Sequence, residues 1–267
     1  MRFTLILAVF SLVIWPLQAK STEAPVIEVI TAQFSPLQMM ENGVAKGYVV
    51  ELIEHVVERV KQEYQIDVST AKILPFRRAL NALDKGPNVL FFSLSRTQKR
   101  EDKFLWIGEV SPYEIYFFKL KENDPVRSHT LEDALNQGHR LGVAAASNTM
   151  ELLKDLGFKR GQTFFPYSHY TKGVPMLFNN RFDMLPLTSF VARANICKLG
   201  FDGDAVEPMI RVDELSNPLW MVFSKGTDPV LVEKFKTALD AVKAEGIDKQ
   251  IRDRYLTALN NKPCVAE

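Results

Sequence analysis

From Val26 to Ile30 apolar residues are interleaved with the acidic Glu28, and the stretch is β-branched, as a strand should be. A turn-forming stretch follows, with Asn42-Gly43 and Gly47, and then Val49, Leu52, Ile53, Val56, Val57 and Val60 recur three or four apart. Glu51, Glu54, Glu58 and Arg59 fall on the opposite side, so the spacing predicts an amphipathic helix. A second unit repeats the order: a strand around 68–73, a helix around 77–83 stopped by Gly86, and an apolar strand over 89–92. Strands that alternate with helices predict a mainly parallel sheet covered by helices.

Tyr113 to Leu120 reads as one more strand of this first unit, and the charged, Pro-containing segment after it predicts a crossing to a second lobe over 121–126. Thr130 and Asp133 have capping-box spacing and open a helix. Leu141 to Ala146 is a strand of small and apolar residues that leads directly into Ser147-Asn148-Thr149 and a helix through Leu152, Leu153 and Leu156. Further strands are expected near 163–165 and 182–187, with a helix over 189–199. Strand character returns at Leu219 to Phe223. Asp228-Pro229 then caps a helix whose stripe is Leu231, Phe235, Ala238, Leu239 and Val242, stopped by Gly246. The predicted division is a leader over 1–19, a first part of lobe 1 over 20–120, the crossing at 121–126, lobe 2 over 127–214, and a return to lobe 1 over 215–267.

The leader is the one strong compositional asymmetry. Arg2 precedes the apolar run Phe3 to Trp15, and a small residue, Ala19, stands where a peptidase would cut. The run is shorter than the roughly 20 residues that span a bilayer, so export and a periplasmic location are expected instead of a membrane anchor. With 33 Lys+Arg against 32 Asp+Glu in 267 residues, removal of Arg2 leaves a neutral chain. Neutrality gives no electrostatic case for nucleic acid. An oxidising compartment lets Cys197 and Cys264 pair, although their spacing leaves that open.

The four histidines lack any compact ligand spacing, and no CxxC, GxGxxG, GxxxxGK or GxSxG motif occurs, so no metal and no cofactor is expected. What is present is Ser93-Leu94-Ser95-Arg96-Thr97-Gln98-Lys99-Arg100, placed directly after an apolar strand. Guanidinium groups, hydroxyls and freed loop amides at a strand's C-terminal end suit a carboxylate or another small anion. Ser147-Asn148 holds the equivalent place in lobe 2, where it is an N-cap if nothing more. Two such loops facing across a cleft would suit a binder that closes on its ligand.

These segments carry a family resemblance. Asn42-Gly43, Gly47-Tyr48-Val49-Val50-Glu51-Leu52, Ser93 to Arg100, Leu141-Gly142-Val143 leading to Ser147, Asn180-Arg181-Phe182-Asp183, and Phe223-Ser224-Lys225-Gly226-Thr227 with Ala244-Glu245-Gly246 resemble, in order, the family 3 extracellular solute-binding proteins of ABC uptake systems. The resemblance implies a two-lobed α/β fold of the type II periplasmic-binding kind, each lobe a mainly parallel sheet flanked by helices. It implies Arg100 as the grip on a ligand carboxylate, with Ser93, Ser95 and Thr97 as loop partners and Ser147 and Asn148 from lobe 2. Arg96 replaces a usually apolar residue and offers a second cation or points to solvent. Phe76 falls at an aromatic wall of the ligand site, core packing being its alternative. The family's first-loop aromatic aligns with Thr31, leaving Phe34 as the nearest ring. The acid that takes a ligand ammonium aligns with Thr188, so the ligand is an anion unlike a standard α-amino acid, or Glu114 supplies the charge.

The function so implied is a periplasmic, non-catalytic, monomeric receptor. It would capture a small polar, carboxylate-bearing solute and hand it to an inner-membrane ABC permease. The alternatives are a lyase on the same scaffold, resembling cyclohexadienyl dehydratases, and a sensory protein that reports to a membrane receptor.

Overall fold

The computed structural model describes residues 26–123, 126–168, 170–261 and 264, so the expected leader lies outside the described residues. The chain begins with β1 (Glu28–Ala32), a hairpin of β2 (Met39–Glu41) and β3 (Val44–Lys46), α1 (Tyr48–Tyr64), β4 (Lys72–Leu74), α2 (Phe76–Leu83), β5 (Val89–Ser95) and β6 (Phe104–Ser111). It then forms β7 (Ile115–Leu120), α3 (Leu131–Asn136), β8 (Leu141–Ala144), α4 (Asn148–Asp155), β9 (Phe164–Tyr167), α5 (Tyr170–Phe178), β10 (Leu185–Thr188), α6 (Ala192–Cys197) and β11 (Val206–Arg211). It returns through β12 (Leu219–Ser224) to α7 (Pro229–Ala244) and α8 (Ile247–Asn260).

The first sheet has the order β4-β1-β5-β12-β6, in which β12 runs antiparallel to both neighbours. In the second lobe β7 lies antiparallel between β10 and β11, while β8 pairs in parallel with β9. A parallel bridge between Leu141 and Met184, with Gly142 N donating to Met184 O at 2.8 Å, joins β8 to the β10 side. Both lobes therefore share one plan, a set of strands pointing one way with a single reversed strand. The reversed strand is in each case the one that enters directly from the other lobe.

That plan corrects the expected crossing. β6 ends at Ser111 and β7 starts at Ile115, already paired in the second lobe, so the chain crosses at Pro112–Glu114 and not at 121–126. Phe117 and Phe118 are both buried, so β7 reads as an apolar strand whichever sheet it joins. Lys121, directly after it, still pairs with lobe 2, its N donating to Ala205 O at 2.8 Å, and residues 124–125 of the expected crossing lie outside the described residues.

Apolar stripes predicted from the sequence do the packing. Val49, Leu52, Ile53, Val56 and Val60 of α1 join Leu231, Phe235 and Leu239 of α7 and Ile251 of α8 on one face of the first sheet. Ala79 and Leu83 of α2 cover part of the other face, against Ile30, Phe91 and Val222. Gly47 permits the tight entry to α1. Its φ is 125°, and a Cβ there would lie 2.7 Å from Pro36 O.

Tyr48, at the start of α1, is buried, and its hydroxyl hydrogen-bonds Ser111 Oγ at the end of β6. Burial pushes the phenol up to about 12, against the opposing pull of Ser111 and Arg252. The unfolded chain releases this proton near pH 10, so stability falls as pH rises from about 10 to 12, by about 2–3 kcal/mol in the limit. Tyr113 and Tyr167, also raised by burial, act in the same direction. Tyr48→Phe is expected to flatten part of this alkaline loss. Denaturant midpoints measured from pH 9 to 11.5 check it, and an unchanged slope would contradict the assignment.

Cys197 at the end of α6 and Cys264 beyond α8 form a disulfide, which ties lobe 2 to the end of the chain that returns through lobe 1.

Candidate functional site

The strands of each lobe that run the same way end at the face where the crossing lies. In lobe 1 that edge carries the loop after β5. Ser93 takes φ of 65°, a left-handed conformation that costs a β-carbon residue energy and turns the strand end. Its hydroxyl donates to Oε1 of buried Gln38 at 2.9 Å. Gln38 in turn exchanges backbone hydrogen bonds of 3.0 and 2.8 Å with Phe34. The strained serine and the first loop are thus stitched together.

A 3-10 helix over Gln98–Lys103 then presents Arg100. Its amide donates to Thr97 O at 2.8 Å, its Nη1 donates to Ser95 O at 3.1 Å, and its guanidinium lies 5.9 Å from the centre of the Phe76 ring. No carboxylate among the described residues pairs with it, and burial lowers its affinity for the proton. A cation partly removed from water and held, among the described residues, by a carbonyl and a ring face has donors to spare for an anion. Phe76 is 48% exposed, which sets aside core packing for that ring.

The remaining lobe 1 residues divide. Ser95 contributes its carbonyl to Arg100, and Thr97 is exposed beside it. Arg96, the proposed second cation, is committed elsewhere: it forks onto Glu101 and lies over Trp220 and Trp106. Thr31 is buried, with its hydroxyl donating to Phe92 O at 3.0 Å, so Phe34 is the ring left at the opening.

At the crossing, the Phe34 ring meets Tyr113 edge-on at 5.7 Å, and the Tyr113 phenol is pushed up by burial against an opposing pull from Thr188 at the end of β10. Phe34 comes from lobe 1, Thr188 from lobe 2 and Tyr113 from the crossing itself. Tyr113 escapes the sequence reading, and its only signal is Pro112 before an aromatic at a strand end. Glu114 does not serve the cleft as a free acid. Its carboxylate accepts from Arg211 Nε at 3.3 Å, while its carbonyl accepts from Ser189 N at 3.0 Å.

In lobe 2, Ser147 is the N-cap of α4. It accepts from Met150 N at 3.2 Å and donates to Ala144 O at 2.7 Å, so its hydroxyl proton is used. Asn148 beside it is exposed. The structure thus brings Arg100 to Phe76 and Ser95, Phe34 to Tyr113, and Thr188 close enough to act on Tyr113, and it sets Ser147 and Asn148 on the matching edge of lobe 2.

This arrangement has counterparts. The sequence pattern of the bacterial extracellular solute-binding proteins, family 3, matches residues 27–258. The chain belongs to this family. The second substrate-binding domain of GlnP from Lactococcus lactis, in an open conformation, superimposes with a TM-score of 0.65 at 18% identity over 87% of this chain and 95% of that one. An ancestral arginine-binding protein bound to arginine gives 0.59 at 21% identity, over 86% and 97%. A histidine kinase sensor domain similar to periplasmic binding proteins gives 0.62 at 18%, over 87% and 96%. No curated protein sequence matches the chain. The family 3 chain has the two-lobed type II periplasmic-binding fold, as the resemblance implied, and its family is one of solute binders.

Proposed function

We propose that this protein is an exported, non-catalytic receptor that closes its two lobes over a small carboxylate-bearing solute and presents it to an ABC-type permease. The observation that carries this reading is Arg100, a partly desolvated guanidinium with no carboxylate partner among the described residues, displayed on the aromatic Phe76. Closure would exclude water and strengthen each charge-assisted bond to the anion. The Cys197–Cys264 disulfide supports an oxidising location. A thermal-shift series with purified protein and amino acids, dicarboxylates and oxo acids tests the reading, because a ligand at a hundred times its Kd adds about 2.7 kcal/mol to stability. Stabilisation only by solutes without a carboxylate would overturn it.

A lyase would need a cleft acid or base poised near neutrality. The shifts at the site move Tyr113 further above neutrality and Arg100 down from a value far above it. Turnover of prephenate or arogenate would refute the non-catalytic assignment. The sensory reading draws support from the likeness to the histidine kinase sensor domain. Capture of the ligand-loaded protein by an ABC permease in detergent would separate transport from sensing.

Thr188 bears on which carboxylate is taken. A hydroxyl beside Tyr113 accepts a hydrogen bond without balancing a positive charge, which favours a solute lacking an ammonium group. Thr188→Asp would supply that charge. A hydrogen bond to a charged group contributes about 1.5–3 kcal/mol, so the variant is expected to gain roughly 10- to 150-fold in affinity for α-amino acids over their oxo-acid counterparts. Paired calorimetric titrations check this, and equal gains for both classes would remove Thr188 from the site.

A further inference from the structure

We infer that Arg96 is the positioning residue of the anion-binding loop: without touching the solute, it locks the chain segment that carries Arg100. The inference rests on the reading of Arg100 given above. Arg96 Nε donates to Glu101 Oε2 at 2.9 Å and Nη2 donates to Oε1, a two-pronged fork between residues that flank Arg100. Its guanidinium lies 4.6 Å from the Trp220 ring centre and 5.2 Å from that of Trp106. The two rings meet nearly perpendicular, at 87°, with centroids 6.1 Å apart. Trp106 also donates its indole N–H to the Glu101 carbonyl at 2.9 Å. Side chain and backbone of Glu101 are therefore both held, one by Arg96 and the other by the tryptophan on which Arg96 rests.

The fork alone would be a weak lock. Its two side chains are 35% and 39% exposed, and exposed ion pairs contribute little. The corner formed by the two indoles supplies the constraint, because it fixes the guanidinium plane and leaves few rotamers open to Arg96. The anchors are also placed to matter. Trp106 lies on β6, which runs into the crossing at Pro112–Glu114, and Trp220 is the second residue of β12, which returns from lobe 2. The loop that grips the anion is thereby tied to both strands that lead between the lobes.

The test needs no solute. Amide hydrogen exchange over 97–103 is expected to rise at least tenfold in Arg96→Ala, and nearly as much in the isosteric Glu101→Gln, while amides of β1 and β5 keep their parent rates. Modification by phenylglyoxal, mapped by mass spectrometry, is expected to speed up several-fold at Arg100 and to stay unchanged at Arg77. Arg96→Lys, which keeps the charge and loses the planar fork, should restore protection only in part. Unchanged loop exchange in both variants would overturn the inference, as would a uniform rise across lobe 1, the mark of a merely structural role. Failure of the anion assignment would show separately, as an Arg100→Ala protein that still binds its solute while the loop data stand.

Discussion

Replacing Arg100 with Ala is expected to weaken solute binding by roughly 30- to 5,000-fold, because truncating one partner of a buried, hydrogen-bonded charge pair costs about 2–5 kcal/mol. The fold should hardly notice. In the free protein, among the described residues, the guanidinium donates to one carbonyl, Ser95 O, and lies over Phe76, an exposed ring that belongs to none of the core clusters. Its burial even works against its charge. The expected signature is therefore an unfolding midpoint close to the parent's without solute and loss of the shift that solute confers. Arg100→Lys should fall between the two, since a point charge meets a carboxylate without the two-pronged geometry. A parent-like Kd for the Ala variant would remove Arg100 from the anion site. A large fall in intrinsic stability would recast it as a structural residue.

The stripes of α1 and α7 were readable because a half-buried helix must repeat its apolar residues at its own period, and β1, buried on both faces, showed itself by its β-branched run. The hairpin of β2 and β3 was not readable. Each strand has three residues, too few for a period to register. β11 was hidden by Pro208, which the structure accommodates with a register shift before Ile210. The place of β7 was illegible for a different reason. Pairing partners lie far away in sequence, and a strand buried on both faces carries no mark of the sheet it joins.

The site shows the same division between local and distant information. The loop that carries Arg100 stands out as hydroxyls and guanidinium groups at a strand end, whereas Phe76 was nominated only through the family resemblance. The fate of Arg96 was not visible, since it depends on Trp106 and Trp220, residues from two different strands. Tyr113 was likewise missed because its role comes from meeting Phe34 and Thr188, which arrive from opposite lobes. Charged residues near a cleft can thus be nominated from local sequence. Which of them is free for a ligand depends on partners that only the fold supplies.

The disulfide gives the second large expected effect. Cys197 and Cys264 are separated by 67 residues, and loop-closure entropy for a cross-link of that span corresponds to about 4 kcal/mol, within the roughly 2–5 kcal/mol lost when native disulfides are removed. The bond also closes a circuit through the fold. α6 belongs to the lobe 2 core, α8 packs on α1 through Ile251, and the chain between them contains the return crossing and β12. Cys264→Ser should therefore lower the unfolding free energy by about that amount. The parent in dithiothreitol should fall to the variant's level, and the variant should not respond to reductant at all. Gly203 makes the local packing demanding, since a Cβ there would lie 2.7 Å from Cys197 Sγ, so Gly203→Ala should destabilise the oxidised protein. Chemical denaturation of parent and variant, each with and without reductant, distinguishes these outcomes. Equal midpoints in all four samples would mean that the two cysteines do not pair in solution.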